Sequence, residues 1–147
     1  MARENREGQR EHFEEVLESV QEVAEHVEEV VGEKLEAVGL GEDDIHKFKL
    51  AVREAALNAV KHGNKEDTSK KVTFLFDYDP ATNEVVVSFT DEGEGFDPDE
   101  VPDPTKDENI LKTGGRGILM MRAGANVQFE RGGRKAVLRK TFGQKEG

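Results

Sequence analysis

An α+β sandwich, with a mainly antiparallel sheet covered on one face by helices, is the fold class that this 147-residue sequence predicts. Three observations carry that expectation. Two stretches of helical apolar spacing stand at the front of the chain, over residues 10–38 and 43–62. Two alternating stretches then follow across the tight turn Asp79-Pro80-Ala81-Thr82-Asn83, and a second such pair closes the chain around Arg131-Gly132-Gly133-Arg134. Strands joined by short turns run antiparallel, and helices then segregate to one face of the sheet. A doubly wound parallel sheet does not fit this order, so the glycines are not read as a dinucleotide fingerprint.

Residues 1–9 are expected to be a disordered tail, and 10–147 a single domain that buries about two-thirds of its unfolded surface. From Arg10 to Val38, Phe13, Val16, Val20, Val23, Val27 and Val30 recur at intervals of 3, 4, 3, 4 and 3, the spacing of a heptad seam on one long helix. Leu17, Ala24 and Val31 widen that stripe. Such a face packs on the domain's own sheet or forms a dimer seam, and a homodimer is the expectation. Gly39-Leu40-Gly41 ends the helix. Asp43 or Asp44 then caps a second one. Its apolar residues, Ile45, Phe48, Leu50, Ala51, Val52, Ala55, Leu57, Ala59 and Val60, fall almost all round, as on a buried central helix. His62-Gly63-Asn64 stops it.

The first strand pair is marked by Val72, Phe74, Phe76 and Tyr78, and by Val85, Val87 and Phe89. Residues 97–113 carry three prolines and many charges with no period, and are read as a mobile loop. A short helix over 117–124 precedes the closing hairpin of Ala125–Glu130 with Lys135–Phe142.

Composition excludes several functions. With 21 basic and 32 acidic residues the net charge is −11, which disfavours direct nucleic-acid binding, because that depends on Lys and Arg neutralising phosphates. A basic patch on a protein partner is the better electrostatic match. The absence of cysteine rules out disulfides, thiolate catalysis and thiolate metal sites. The polar start Met1-Ala2-Arg3-Glu4-Asn5-Arg6 has no apolar signal core, and no run has the length of a membrane span. The expectation is a cytoplasmic protein without membrane contact.

Three blocks carry chemistry. Glu54 and Asn58, four residues apart, project from the same side of the second helix, with His62 continuing that face. A carboxylate and a carboxamide on so apolar a helix are costly to bury unless something compensates them. Asp91 ends an apolar strand and is followed by Gly93, Gly95 and Phe96. A rigidly held carboxylate there accepts a hydrogen bond from an exocyclic amine such as that of adenine, while the glycines let a planar base approach backbone. Thr113-Gly114-Gly115-Arg116-Gly117 opens a helix, where free N–H groups and the helix dipole suit phosphates. Each block alone has a plain structural explanation: an i,i+4 pairing, an acidic turn, a flexible hinge. Their order and spacing are harder to explain that way, and together they describe a pocket for a magnesium-bound nucleotide.

In this order Glu54-x-x-x-Asn58, Asp91-x-Gly93-x-Gly95-Phe96 and Gly115-Arg116-Gly117 resemble the N box and the two glycine boxes of the Bergerat-fold (GHKL) ATPases, which include gyrase, histidine kinases and mismatch-repair ATPases. The small size, the short lid and the run Val52-Arg53-Glu54-Ala55-Ala56-Leu57-Asn58-Ala59-Val60-Lys61-His62-Gly63 most resemble the anti-sigma-factor serine kinases of the RsbW type. The resemblance implies a Bergerat-fold two-layer sandwich that binds ATP and Mg²⁺. Asn58 would contact the metal, and Glu54 would be the base for an attacking hydroxyl. Asp91 would hold the adenine amine, and Gly93 and Gly95 would admit the base. Gly115 to Gly117 would bind the phosphates, with Thr113 and Arg116 as further donors.

The implied activity is that of a serine/threonine protein kinase acting as an anti-sigma factor. Its acceptor would be a serine on an anti-anti-sigma (STAS-type) partner, and it would sequester a sigma factor. The alternatives are a non-catalytic ATP-binding regulatory module and a detached histidine-kinase catalytic domain with His12 or His26 as phosphoacceptor. One departure stands out. These kinases begin with a short strand, whereas residues 1–12 here are polar and charged, so that strand is expected to be missing or altered and the first helix longer.

Overall fold

A computed structural model describes residues 10–38, 40–95 and 115–143, with side chains from residue 120 onward in the last segment. The expected tail over 1–9, the whole of the expected loop over 97–113 with Thr113 in it, and Phe96 and Gly114 lie outside the described residues. The chain runs β1 (Glu11–Glu18), α1 (Glu22–Ala37), α2 (Glu42–Leu57), a π-helical turn (Asn58–Gly63), β2 (Lys71–Asp79), β3 (Glu84–Thr90), α3 (Gly115–Gly124), β4 (Asn126–Glu130) and β5 (Lys135–Thr141). The strands form one sheet in the order β1-β2-β3-β5-β4, and every neighbouring pair is antiparallel. This is the α+β sandwich expected.

The inner sheet face follows the period of two. Val72, Phe74, Phe76 and Tyr78 of β2 are buried beside Val85, Val87 and Phe89 of β3. Phe74 stacks on Phe89 at 5.3 Å between centroids, Phe13 meets Phe74 edge-on at 5.9 Å, and Phe48 meets Phe142 edge-on at 5.6 Å. Val23, Ala24, Val27, Val31 and Leu35 of α1, with Ile45, Phe48, Ala51, Val52, Ala55 and Ala56 of α2, cover that face.

Two expectations are corrected here. The stretch from Arg10 to Val38 is not one helix, because Glu11–Glu18 pairs with β2 along its whole length and supplies the first strand, expected to be missing or altered. Phe13 and Leu17 point inward, whereas Val16, the next residue of the supposed seam, is 60 % exposed on the opposite side. A spacing of four fits both a helix turn and a strand period of two, so residues 13 and 17 cannot discriminate between them. Helix α1 itself spends its apolar stripe on the domain's own core.

Helix α2 is one-sided rather than buried all round, since Leu50, Leu57, Glu54 and Asn58 are only half-buried. Its N-cap is Gly41 and makes no side-chain cap; Asp43 and Asp44 instead lie with Glu42 in the first turn, where acids favour the helix dipole.

Candidate functional site

The site is built from the end of α2, the end of β3 and the start of α3. Glu54 and Asn58 sit one turn apart, half-buried. Among the described residues neither side chain has a hydrogen bond or an ion pair. At Asn58 the helix widens: the N–H of Asn64 donates to the Ala59 carbonyl at 2.8 Å, a five-residue reach that defines the π-helical turn. Such turns are rare and concentrate at functional sites. His62, at its end, is exposed.

The turn ends against Asp91. The Asp91 N–H donates to the Arg134 carbonyl at 2.9 Å, so the closing hairpin grips the end of β3. Its Oδ1 accepts the Gly93 N–H at 2.8 Å. The residue is only 9 % exposed. Burial raises its carboxyl pKa above the ordinary 3.8, against the opposing pull of the Gly93 hydrogen bond and the charges of Arg134 and Lys70.

Glycines make this contact possible. A Cβ on Gly63 would lie 2.2 Å from Asp91 Oδ2, and one on Gly93 would lie 2.0 Å from the Gly63 carbonyl oxygen. Gly95 has φ +81° and its Cβ would strike the Gly132 carbonyl oxygen at 2.2 Å, so both conformation and space require glycine. Gly93 and Gly95 were expected at the site. Gly63 was read only as a helix stop, and its role as the floor beneath Asp91 emerges from the tertiary contact.

Gly115, Arg116 and Gly117 form the first turn of α3, and their side-chain surroundings lie outside the described residues. Helix α3 packs along α2, with Gly124 close enough that a Cβ would lie 2.2 Å from the Lys47 carbonyl oxygen and 3.0 Å from the Ala51 Cβ. A separate cleft lined by Gln21, Glu22, Glu25, Arg53, Leu57 and Lys61 lies on the flank of α2 facing α1, one step round the helix from Glu54. Its rim is charged and solvated, and Arg53 is already paired with Glu28 at 3.6 Å.

Asn64 was missed as a site residue. It is 1 % exposed and accepts the Glu92 N–H at 2.8 Å, beside Asp91. Its place directly after His62-Gly63 was the one available signal.

The donor set fits a magnesium nucleotide better than a resident metal. Among the described residues no three His, Asp or Glu side chains converge on a possible metal. Mg²⁺ keeps waters and phosphate oxygens with only one or two protein ligands, so the Asn58 oxygen, unpaired among the described residues, would suffice. No helix of the described residues is long and apolar enough to cross a membrane.

The sheet order and the helix pair covering one face define an α+β domain, and comparison with known proteins gives its family. The profile of the histidine kinase-like ATPase domain matches residues 13–141, and the chain belongs to that family. Within it the chain is similar to the serine-protein kinase RsbW of Bacillus subtilis (strain 168), 37 % identical over 92 residues, covering 57 % of this chain and 55 % of that protein. It is also similar to the serine-protein kinase RsbW of Staphylococcus aureus (strain JH9), 32 % identical over 91 residues, covering 58 % and 57 %. The chain thus spans a little over half the length of these relatives. The crystal structure of the RsbU and RsbW domains of a Mycobacterium tuberculosis protein superposes with a TM-score of 0.62 at 20 % identity, over 90 % of this chain and 32 % of that one, which shows the shared fold.

Proposed function

We propose that this domain binds Mg²⁺-ATP between α2, the end of β3 and the mouth of α3, and transfers the γ-phosphoryl group to a serine or threonine of a protein partner. The observation that carries the reading is the pairing of half-buried Glu54 and Asn58, unpartnered among the described residues, with a buried, rigidly held Asp91 at the end of β3, against the turn that ends their helix. Asp91 accepts the adenine amine, and Gly93 and Gly95 leave room for the ring. The first turn of α3 faces the phosphates. Asn58 would hold the magnesium, which would supply neutralisation of phosphate charge. Glu54 takes the proton of the attacking hydroxyl as its oxygen bonds to the γ-phosphorus and the bond to ADP breaks. Position and charge do most of the work in phosphoryl transfer, so one carboxylate base completes the minimum set.

A serine acceptor on a protein is supported by the relatives, which are named serine-protein kinases, and the identity of the partners rests on the resemblance to the RsbW type. We assign the acceptor to a small anti-anti-sigma (STAS-type) protein and the sequestered partner to a sigma factor, in a cytoplasmic homodimer. Net charge of −11 favours partners with basic contact surfaces. The histidine-kinase alternative gains nothing: His12 lies on a sheet strand, 3.1 Å from Asp77, and His26 is bound by Glu15 at 2.7 Å.

The test is incubation with labelled ATP, Mg²⁺ and candidate STAS-type proteins. Acid-stable label on a serine or threonine of the partner is the expected product. ATP binding with no label on any candidate identifies a non-catalytic module, and acid-labile label identifies histidine phosphorylation.

A further inference from the structure

The two peptides that flank Asp91 are each held by a bond outside the strand ladder. On one side the Asp91 N–H reaches the Arg134 carbonyl; on the other the Glu92 N–H reaches Asn64 Oδ1 at 2.8 Å. The rest of the Asn64 carboxamide is also engaged. Its Nδ2 donates to Ser19 Oγ at 2.7 Å and to the Lys71 carbonyl at 3.0 Å. Ser19 Oγ in turn donates to the Lys70 carbonyl at 2.6 Å, and the Glu92 carboxylate accepts the Lys71 N–H. One buried side chain therefore joins the end of β1, the start of β2, the π-helical turn and the turn that carries Asp91. A buried amide is tolerated only when its donors and acceptor are met, so the four segments share one geometry or none.

We propose that Asn64 is a positioning residue that sets base recognition in the nucleotide site. It touches no reacting atom. It fixes the height of the Asp91 carboxylate over Gly63 by holding the next peptide, and so ties the adenine acceptor to the helix that carries Glu54 and Asn58. The proposal rests on the nucleotide reading above. A carboxylate in that position accepts the amine of adenine and opposes the carbonyl oxygen that guanine presents at the same ring position, so the ratio of ADP to GDP affinity reports its placement.

The experiment is calorimetric titration of the intact protein and its variants with Mg²⁺-ADP and Mg²⁺-GDP, together with amide exchange at Glu92. Asn64→Ala should weaken ADP binding about tenfold, the equivalent of one well-placed hydrogen bond. It should also lower the ADP/GDP ratio by a similar factor and speed exchange at the Glu92 amide. Val31→Ala, a core truncation in α1 away from the turn, serves as a control for lost stability and should leave the ratio unchanged. If Asn64→Ala does not fold, Ser19→Ala removes one anchor of the carboxamide and should shift the same ratio by about two- to threefold. An unchanged ratio in the folded Asn64 or Ser19 variant overturns the proposal, as does an equal loss in Val31→Ala. Failure of the unaltered protein to bind either nucleotide overturns the nucleotide reading and this proposal with it.

Discussion

At the Asp91 end of the site each polar group is tied down, whereas at the Glu54 end the two groups that matter are unpaired among the described residues. Asp91 is nearly buried, bonded to Gly93 and, through its backbone, to Arg134, and it rests on Gly63 without space for a methyl group. Glu54 and Asn58 are half-buried on one helix face. On the proposed function the contrast separates recognition from chemistry. There, a planar base would be selected by an acceptor that does not move. Phosphates and a magnesium ion need donors free to adapt, because the charge they meet changes as the γ-phosphoryl group departs.

The largest expected effect tests the free end. Glu54→Ala should reduce phosphoryl transfer about 10²–10⁴-fold, as loss of a general base does. ADP affinity should hardly change, because the base binds no part of the nucleotide. Transfer assays alongside titration check both halves, and an equal loss in both would erase the distinction between the two ends.

At the fixed end, Gly63→Ala forces a methyl into Asp91 Oδ2 and should cost about 1–3 kcal/mol of stability. Nucleotide affinity should fall with it, and thermal melts with titrations on the same sample would show whether they move together. The comparable exposed change, Lys61→Ala, should leave both unaltered within about 0.5 kcal/mol.

Acidity sharpens the same comparison. Burial raises the Asp91 pKa above 3.8, so its ionised form costs the folded protein stability. That cost is present above the folded pKa and is relieved as pH falls through it, while the stabilising contribution of the neutral form is complete below the unfolded value. On the proposed function adenine recognition needs the carboxylate, so ADP affinity should fall as pH drops from neutral toward 3.8, starting earlier than an ordinary aspartate would dictate. Asp91→Asn should flatten this part of the affinity profile and raise the melting temperature of the nucleotide-free protein at neutral pH. The smallest effect is expected at Val16, 60 % exposed on the outer sheet face, where Val16→Thr should shift stability by no more than about 0.5 kcal/mol.

Legibility in the sequence followed the range of the interactions. The pairs β2–β3 and β4–β5 were readable because alternation and a turn lie within a few residues of each other, as at Val72 to Phe89. Helix α2 and its Glu54-x-x-x-Asn58 spacing were readable because helix geometry alone puts residues four apart on one side. Strand β1 was not. Its partner β2 lies more than fifty residues away, and Phe13 and Leu17 satisfy both periods until pairing is known. Gly63 and Asn64 were not legible as site residues either, since what makes them matter is contact with Asp91 and Glu92 from a different strand end.

The central claim is tested most directly by titrating the folded protein with ATP, with and without Mg²⁺, alongside Asp91→Ala. The account predicts saturable binding that strengthens with Mg²⁺ in the unaltered protein and is lost in the variant. Binding that ignores both magnesium and Asp91, or no binding at all, would contradict it.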